Sequence, residues 1–175
     1  MRGYTALTEG LAPGEVPELV NRFYEASSDA LVPHGALLGQ IEGDNVMAMF
    51  VPGFAGAQYR RKAVLAGLAL LRAMGYGSGE GSWIDVGVGI ASGQEFVGNV
   101  GGGGYKDFTA VGDVTNTSAR LTAQAAGGEI LSDGETFSAV ADEFPDAQSR
   151  TLELKGKSAP VTAYVIPNGW PDRRT

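Results

Sequence analysis

The chain has 175 residues, 43% of them hydrophobic and 19% charged, which is one globular domain long enough to bury a core. A net charge of −7 excludes a broad basic face for DNA or RNA. The absence of cysteine excludes disulfides and thiolate-bound zinc, and a single histidine, His34, leaves Ser-His-Asp and Cys-His chemistry nearly closed.

In chain order, "GEVPELVNRFYEASSDALVPHG" (14–35) carries Val16, Leu19, Val20, Phe23, Ala26, Ala30 and Leu31 at helical spacing. Pro17 suits its first turn, and Pro33 to Gly35 ends it. "ALLGQIEG" and "NVMAMFV" (36–51) read as a hairpin turning on Gly43-Asp44. A second helix, "AQYRRKAVLAGLALLRAMG", covers 57–75. "WIDVGVGIASG" (83–93) alternates as a strand, with "QEFVGNVG" (94–101) expected as its hairpin partner. "FTAVG" (108–112) is a short strand, and "DVTNTSARLTAQA" (113–125) is a third helix with Asp113 expected as N-cap. "EILSD" is strand-like, "GETFSAVADEF" (134–144) a short helix, and "RTLELKG" and "PVTAYVI" (150–166) the closing strands. The tail 167–175 is turn-rich, with Trp170 the one residue expected to pack. Helices interleaved with antiparallel strands make the class α+β, one sheet with helices on a face. No apolar run approaches ~18 residues and no signal peptide opens the chain, so a soluble, cytoplasmic domain is expected.

Several motifs invite chemistry and also admit plainer readings. Asp44 is an acceptor-only carboxylate at a hairpin tip, which suits a metal ligand and equally a tight turn. On the third helix Val114, Ser118, Leu121 and Ala125 share one face, while Asn116 and Arg120, at i and i+4, share another. An amide beside a forked cation suits the oxygens of a phosphate, and equally a solvated face. Lys155 ends a strand before a Gly turn, where it could reach a phosphate or simply be solvated. "GNVGGGGYKD" (98–107) fails as a phosphate loop, because Tyr105 stands where Gly must precede the Lys. "GVGIASG" (87–93) is followed by a strand pattern rather than a helix, so it is no dinucleotide fingerprint. His34 reads as a helix-end residue, and Phe23, Tyr24, Phe50 and Phe54 as core or core edge.

The order of these segments is more specific than any one of them. "GYTALTE", a helix, "HGALLGQIEGDNVMAMF", a helix, "VGVGIASGQEFVGNVG", "DFTAVGDVTNTSARL", "GGEILSD" and "LELKGKSAPVTAYVI" together resemble the class III adenylate/guanylate cyclase catalytic domain, over about residues 1–166. The resemblance implies a ferredoxin-like cyclase fold and conversion of ATP, less strongly GTP, to 3′,5′-cyclic nucleotide and pyrophosphate. It implies Mg²⁺ or Mn²⁺ on Asp44, catalytic roles for Asn116 and Arg120, and phosphate contact by Lys155. Gln40 and Thr109 fall on the base-reading positions. It further implies a head-to-tail homodimer in which Asp44 of one copy meets Asn116 and Arg120 of the other.

One departure stands out. The family pattern is an apolar strand ending in Asp, then an apolar residue, x, Gly, an aromatic or Ser, and Thr; "MRGYT" matches everything after that Asp. The first metal aspartate and nearly all of the central first strand are therefore expected to be missing from this N-terminally truncated domain (1–166). The expectation is weak or absent activity, because one carboxylate holds two hard cations poorly. The alternative is an inactive cyclase-like nucleotide-binding or dimerisation module.

Overall fold

In the computed structural model, residues 1–104, 106–153 and 159–168 are described, with 40–42 described by backbone alone. The chain opens with a short helix α1 (Tyr4–Glu9), which the sequence pattern left unassigned. The amphipathic helix α2 (Glu15–Leu31) follows, with Phe23, Ser27 and Leu31 buried, and a 3₁₀ turn at Val32–His34 ends it. Strands β1 (Leu37–Glu42) and β2 (Asn45–Met49) make the expected hairpin. A four-residue helix α3 (Pro52–Ala55) leads into α4 (Tyr59–Ala73).

Helix α4 is the central element. A run of its residues from Ala63 to Leu71 is mostly buried, because it has neighbours on more than one side. Ala66, Leu70 and Met74 pack towards Phe23, Leu31 and Ile84. Val64, Leu68 and Leu71 pack towards Ile130, Val140 and Ile166. An all-round apolar helix is buried by helix and sheet together, which explains why its pattern is broader than the single stripe of α2.

The strands after α4 are β3 (Val88–Ile90), β4 (Phe96–Val100) and β5 (Asp107–Val111). Helix α5 (Asp113–Gln124), β6 (Ile130–Ser132), α6 (Gly134–Ser138), β7 (Gln148–Leu152) and β8 (Val161–Ile166) complete the order. The hydrogen-bonded groups are β1-β2, β4-β5, and a four-stranded sheet in the order β3-β6-β8-β7. Among the described residues only β3-β6 is parallel; the other pairings are antiparallel. Among the described residues no strand precedes β1. Met1 donates its N–H to the Asp44 carbonyl at 2.5 Å, and Arg2 donates to the Asp85 carbonyl at 2.7 Å, so these two residues stitch the β1-β2 hairpin to the run leading into β3.

Phe54, expected in the core or at its edge, is instead 71% exposed, and two expectations about the elements are corrected. Segment 83–93 does not form a hairpin with 94–101. Its strand is only Val88–Ile90, which pairs in parallel with β6, while β4 pairs with β5 in an unbroken register from Phe96–Val111 to Val100–Asp107. The reason is local. The Ser92 N–H is taken by the Asp133 carboxylate at 3.0 Å, which ends the strand, and the glycine run 101–104 joins β4 directly to β5. The second correction is that Gly112, not Asp113, is the N-cap of α5, and Asp113 is the first helical residue. The remaining strand and helix positions agree with the pattern to within a few residues, except that the pattern marks neither α1 nor α3 and the helix expected over 134–144 is α6 followed by a 3₁₀ turn at Ala141–Glu143. The closing residues 169–175, Trp170 among them, lie outside the described residues.

Candidate functional site

The Asp44 turn is built from three directions. Glu42 pairs with Asn45, so Gly43-Asp44 is a two-residue loop. Gly43 takes φ +54°, the left-handed region that glycine enters at no steric cost. From α2, the Tyr24 hydroxyl donates to the Gly43 carbonyl at 2.6 Å, while the Tyr24 ring sits against Phe23 at the core edge. Met1 holds the Asp44 carbonyl from the other side. Burial lowers the pKa of the Met1 ammonium, against the raising effect of the Asp44 charge. Burial raises the Tyr24 pKa, with Tyr4 and Asp44 adding to it. The Asp44 side chain is half-buried. The backbone of the turn is therefore held more firmly than a free turn requires.

Strand β1 carries a bulge between Leu38 and Ile41, so Gly39 and Gln40 lie where the ladder is interrupted. Beside β1 lies β5, with half-buried Thr109 at its centre opposite Gly98. The two expected base-reading positions thus fall on neighbouring strands; the Gln40 side chain itself lies outside the described residues.

Helix α5 is seated by its apolar face. Leu121 and Ala125 are buried with Leu131 and Ala163, and Thr117 is buried beside them. Asn116 is exposed and Arg120 half-exposed. Among the described residues, no hydrogen bond or ion pair engages either side chain. The helix lies directly on the β3 backbone: a methyl added at Gly89 would overlap Ser118 O and Thr122 N, and would meet Thr122 Oγ1 at 2.6 Å. Close contact between α5 and the sheet thus fixes how near the helix sits to β3 and limits how Asn116 and Arg120 can be oriented.

Both ends of α5 are held from elsewhere in the chain. Thr115 donates its N–H to the two oxygens of Glu95 at 2.9 and 3.1 Å, and its hydroxyl to Oε2 at 2.8 Å. Arg2 donates from Nη2 to the Thr122 carbonyl and from Nη1 to the Ala123 carbonyl at 3.4 Å. No sequence motif marks Glu95 or Arg2, and Tyr24 reads in the sequence only as a core-edge aromatic. Lys155 lies outside the described residues. Among the described residues no group of three or more His, Asp or Glu side chains stands together as a metal cage, and no helix is long and apolar enough to cross a membrane.

Comparison with known proteins agrees with this architecture. The family model "Adenylate and Guanylate cyclase catalytic domain" matches residues 1–168. An uncharacterized protein of Mycobacterium tuberculosis is 29% identical over 168 residues, covering 91% of this chain; the chain spans 30% of that protein's length. The crystal structure of the guanylyl cyclase Cya2 aligns over 100% of this chain and 91% of its own, with TM-score 0.88 and 26% identity. That of the adenylyl cyclase CyaB from P. aeruginosa aligns over 98% and 91%, with TM-score 0.84 and 29% identity. Matched along almost its whole length in both sequence and fold, this chain belongs to the class III adenylate/guanylate cyclase catalytic-domain family.

Proposed function

We propose that the chain forms 3′,5′-cyclic nucleotide and pyrophosphate from ATP, with GTP the second choice, at sites shared between two copies arranged head to tail. The observation that carries this is the placing of Asn116 and Arg120, unengaged among the described residues, on the outward side of a rigidly seated helix. Asp44 stands on a separate, braced turn. In this reading Asp44 belongs to the site on one side of the dimer and Asn116 and Arg120 to the site on the other. The β4-β5 hairpin exposes the cross-strand pair Phe96 and Val111, 57% and 52% accessible, which supports association of two chains.

The donor set fits a divalent cation that arrives with a triphosphate. Mg²⁺ is commonly held by one or two carboxylates plus substrate phosphates, whereas a cage made only of protein groups is missing among the described residues. Asp44 would hold such an ion, Mg²⁺ or Mn²⁺. When bound, the metal lowers the pKa of the ribose 3′-hydroxyl and neutralises charge on the departing pyrophosphate. Arg120 binds the α-phosphate oxygens as the 3′-oxygen bonds to phosphorus and the bond to pyrophosphate breaks. Asn116 orients the ribose, and Gln40, Thr109 and Lys155 hold the base and the terminal phosphates. Most of the acceleration comes from positioning and electrostatics. The protein works inside the cell, where nucleoside triphosphates are available.

The exposed pair Phe96 and Val111 equally suits a second reading, a silent module that binds nucleotide or dimerises without turnover. Product formation with Mn²⁺ and ATP or GTP separates the two. In an active chain, Asp44→Ala and Arg120→Ala should each be inactive alone and should recover part of the activity when mixed. No recovery, with mixed dimers shown by native mass spectrometry, rules out the shared-site arrangement.

A further inference from the structure

Helix α5 has no side-chain cap of its own. The first N–H groups and the last carbonyls of a helix have no partner within it, and the N-cap here is Gly112, which has no side chain to offer. The donor at Thr115 is satisfied by Glu95, from the segment before β4. The fit is close: a methyl at Gly112 would meet Glu95 Oε1 at 2.8 Å. At the other end, Thr122 O and Ala123 O receive the Arg2 guanidinium. That group lies in a notch over Gly87, where an added methyl would meet Nη2 at 2.6 Å and Nε at 2.8 Å. A carboxylate at the N-terminus and a cation at the C-terminus each match the helix dipole.

We infer that Glu95 and Arg2 are positioning residues, a pair of clamps that fix the rise and rotation of α5 and so aim Asn116 and Arg120 at the nucleotide. The clamped residues, Thr115 and Thr122, bracket the two functional positions. Asn116 is one residue beyond the first clamp, and Arg120 is two residues before the second. The two functional side chains leave the axis about 6 Å apart, at 1.5 Å of rise per residue. A helix fixed at one end only could tilt or fray across that span. The second clamp also belongs to the segment that reaches Asp44: Arg2 follows Met1, whose N–H is on the Asp44 carbonyl. The same two residues therefore tie the metal-side turn to the α5 end within one chain.

This inference rests on the cyclase reading, and its test separates the two. In the full chain, cyclic nucleotide formation with Mn²⁺-ATP and Mn²⁺-GTP is measured first. A wild-type chain that turns over neither nucleotide favours the silent module over the cyclase reading, and hydrogen exchange then decides the clamps by itself. Glu95→Ala and Arg2→Ala are then compared with the conservative Glu95→Gln and Arg2→Lys. Gly87→Ala crowds both Arg2 and, at 2.7 Å, the Ala125 carbonyl, so it displaces the last turn of α5 by a route that keeps Arg2 in the sequence. We expect each disruptive variant to lower kcat at least tenfold with KM changed less than threefold, and the conservative pair to recover part of the loss. Hydrogen exchange in 113–125 should quicken at the first turn in Glu95→Ala and at the last turn in Arg2→Ala and Gly87→Ala. Unchanged exchange in both alanine variants overturns the clamps. Faster exchange with kcat within twofold of wild type overturns their positioning role.

Discussion

The contact between α5 and β3 yields the sharpest perturbation. Gly89→Ala adds one methyl where Thr122 Oγ1 lies 2.6 Å away and two backbone atoms, Ser118 O and Thr122 N, are nearer still. Ordinary contact begins at 3.4 Å, so the helix has to retreat by at least 0.8 Å (3.4 less 2.6). Backbone cannot rotate aside as a side-chain tip can. Overpacking of this kind costs ~1–3 kcal/mol. A misplacement near 1 Å in a catalytic constellation costs ~10²-fold in rate. Gly67→Ala is the matched control. It lies inside α4, and the nearest atoms to its methyl would be side-chain ends, Ile130 at 3.2 Å and Ile90 and Val88 at 3.6 Å. There the gain in helix propensity, ~1 kcal/mol, offsets the crowding. Urea unfolding and initial rates of cyclic nucleotide formation measure both substitutions. If Gly89→Ala matches Gly67→Ala in midpoint and keeps its rate within twofold of wild type, α5 is not held by the β3 backbone, and the account of how Asn116 and Arg120 are aimed fails.

Two further outcomes follow from the turn and from the lone histidine. Tyr24→Phe removes the hydroxyl bond to the Gly43 carbonyl while keeping the ring. The bond is solvent-exposed, so stability should fall by ~0.5 kcal/mol, the low end for a hydrogen bond, and the Mn²⁺ concentration for half-maximal turnover should rise severalfold; identical metal-activation curves would count against a braced Asp44. His34 has its pKa lowered, first by burial and then by the Lys62 charge, from 6.5 in the unfolded chain. Between the lowered folded value and 6.5 the unfolded chain binds more protons, so the His34 contribution to stability is present above 6.5 and is lost as pH falls through the folded value. The difference in urea midpoint between wild type and His34→Gln should therefore shrink from pH 7.5 towards pH 5; a flat or opposite trend contradicts the burial of the ring.

Much of the architecture is encoded locally. The apolar stripe of α2, the broader apolar pattern of α4 and the alternation in β1 and β2 each mark an element, because a helix or strand must bury the face its own period creates. Gly43-Asp44 is legible as a turn because only glycine takes its backbone angle freely. The site positions Asp44, Asn116, Arg120 and Thr109 could be listed from their spacing in the family pattern, and the structure sets Thr109 beside β1 and Asn116 and Arg120 on one helix. Strand pairing was less legible. The alternation in 83–93 marks a strand but carries no information on its partner, and the parallel mate β6 lies about forty residues on. The N-cap moved for a related reason: Asp113 looks like a cap in isolation, yet the capping oxygen comes from Glu95, a residue eighteen positions earlier.

The sequence by itself therefore determined the family and the periodic elements, and it named the residues proposed to carry chemistry, since each of these rests on spacing along the chain. Only the tertiary structure decided which strands pair, that α5 lies on bare glycine backbone, and that Glu95 and Arg2 grip its two ends. The physical reason is that hydrogen bonds and close packing between segments depend on where distant atoms meet. Hydrophobic period reports which face of an element is buried, and it leaves open what that face is buried against.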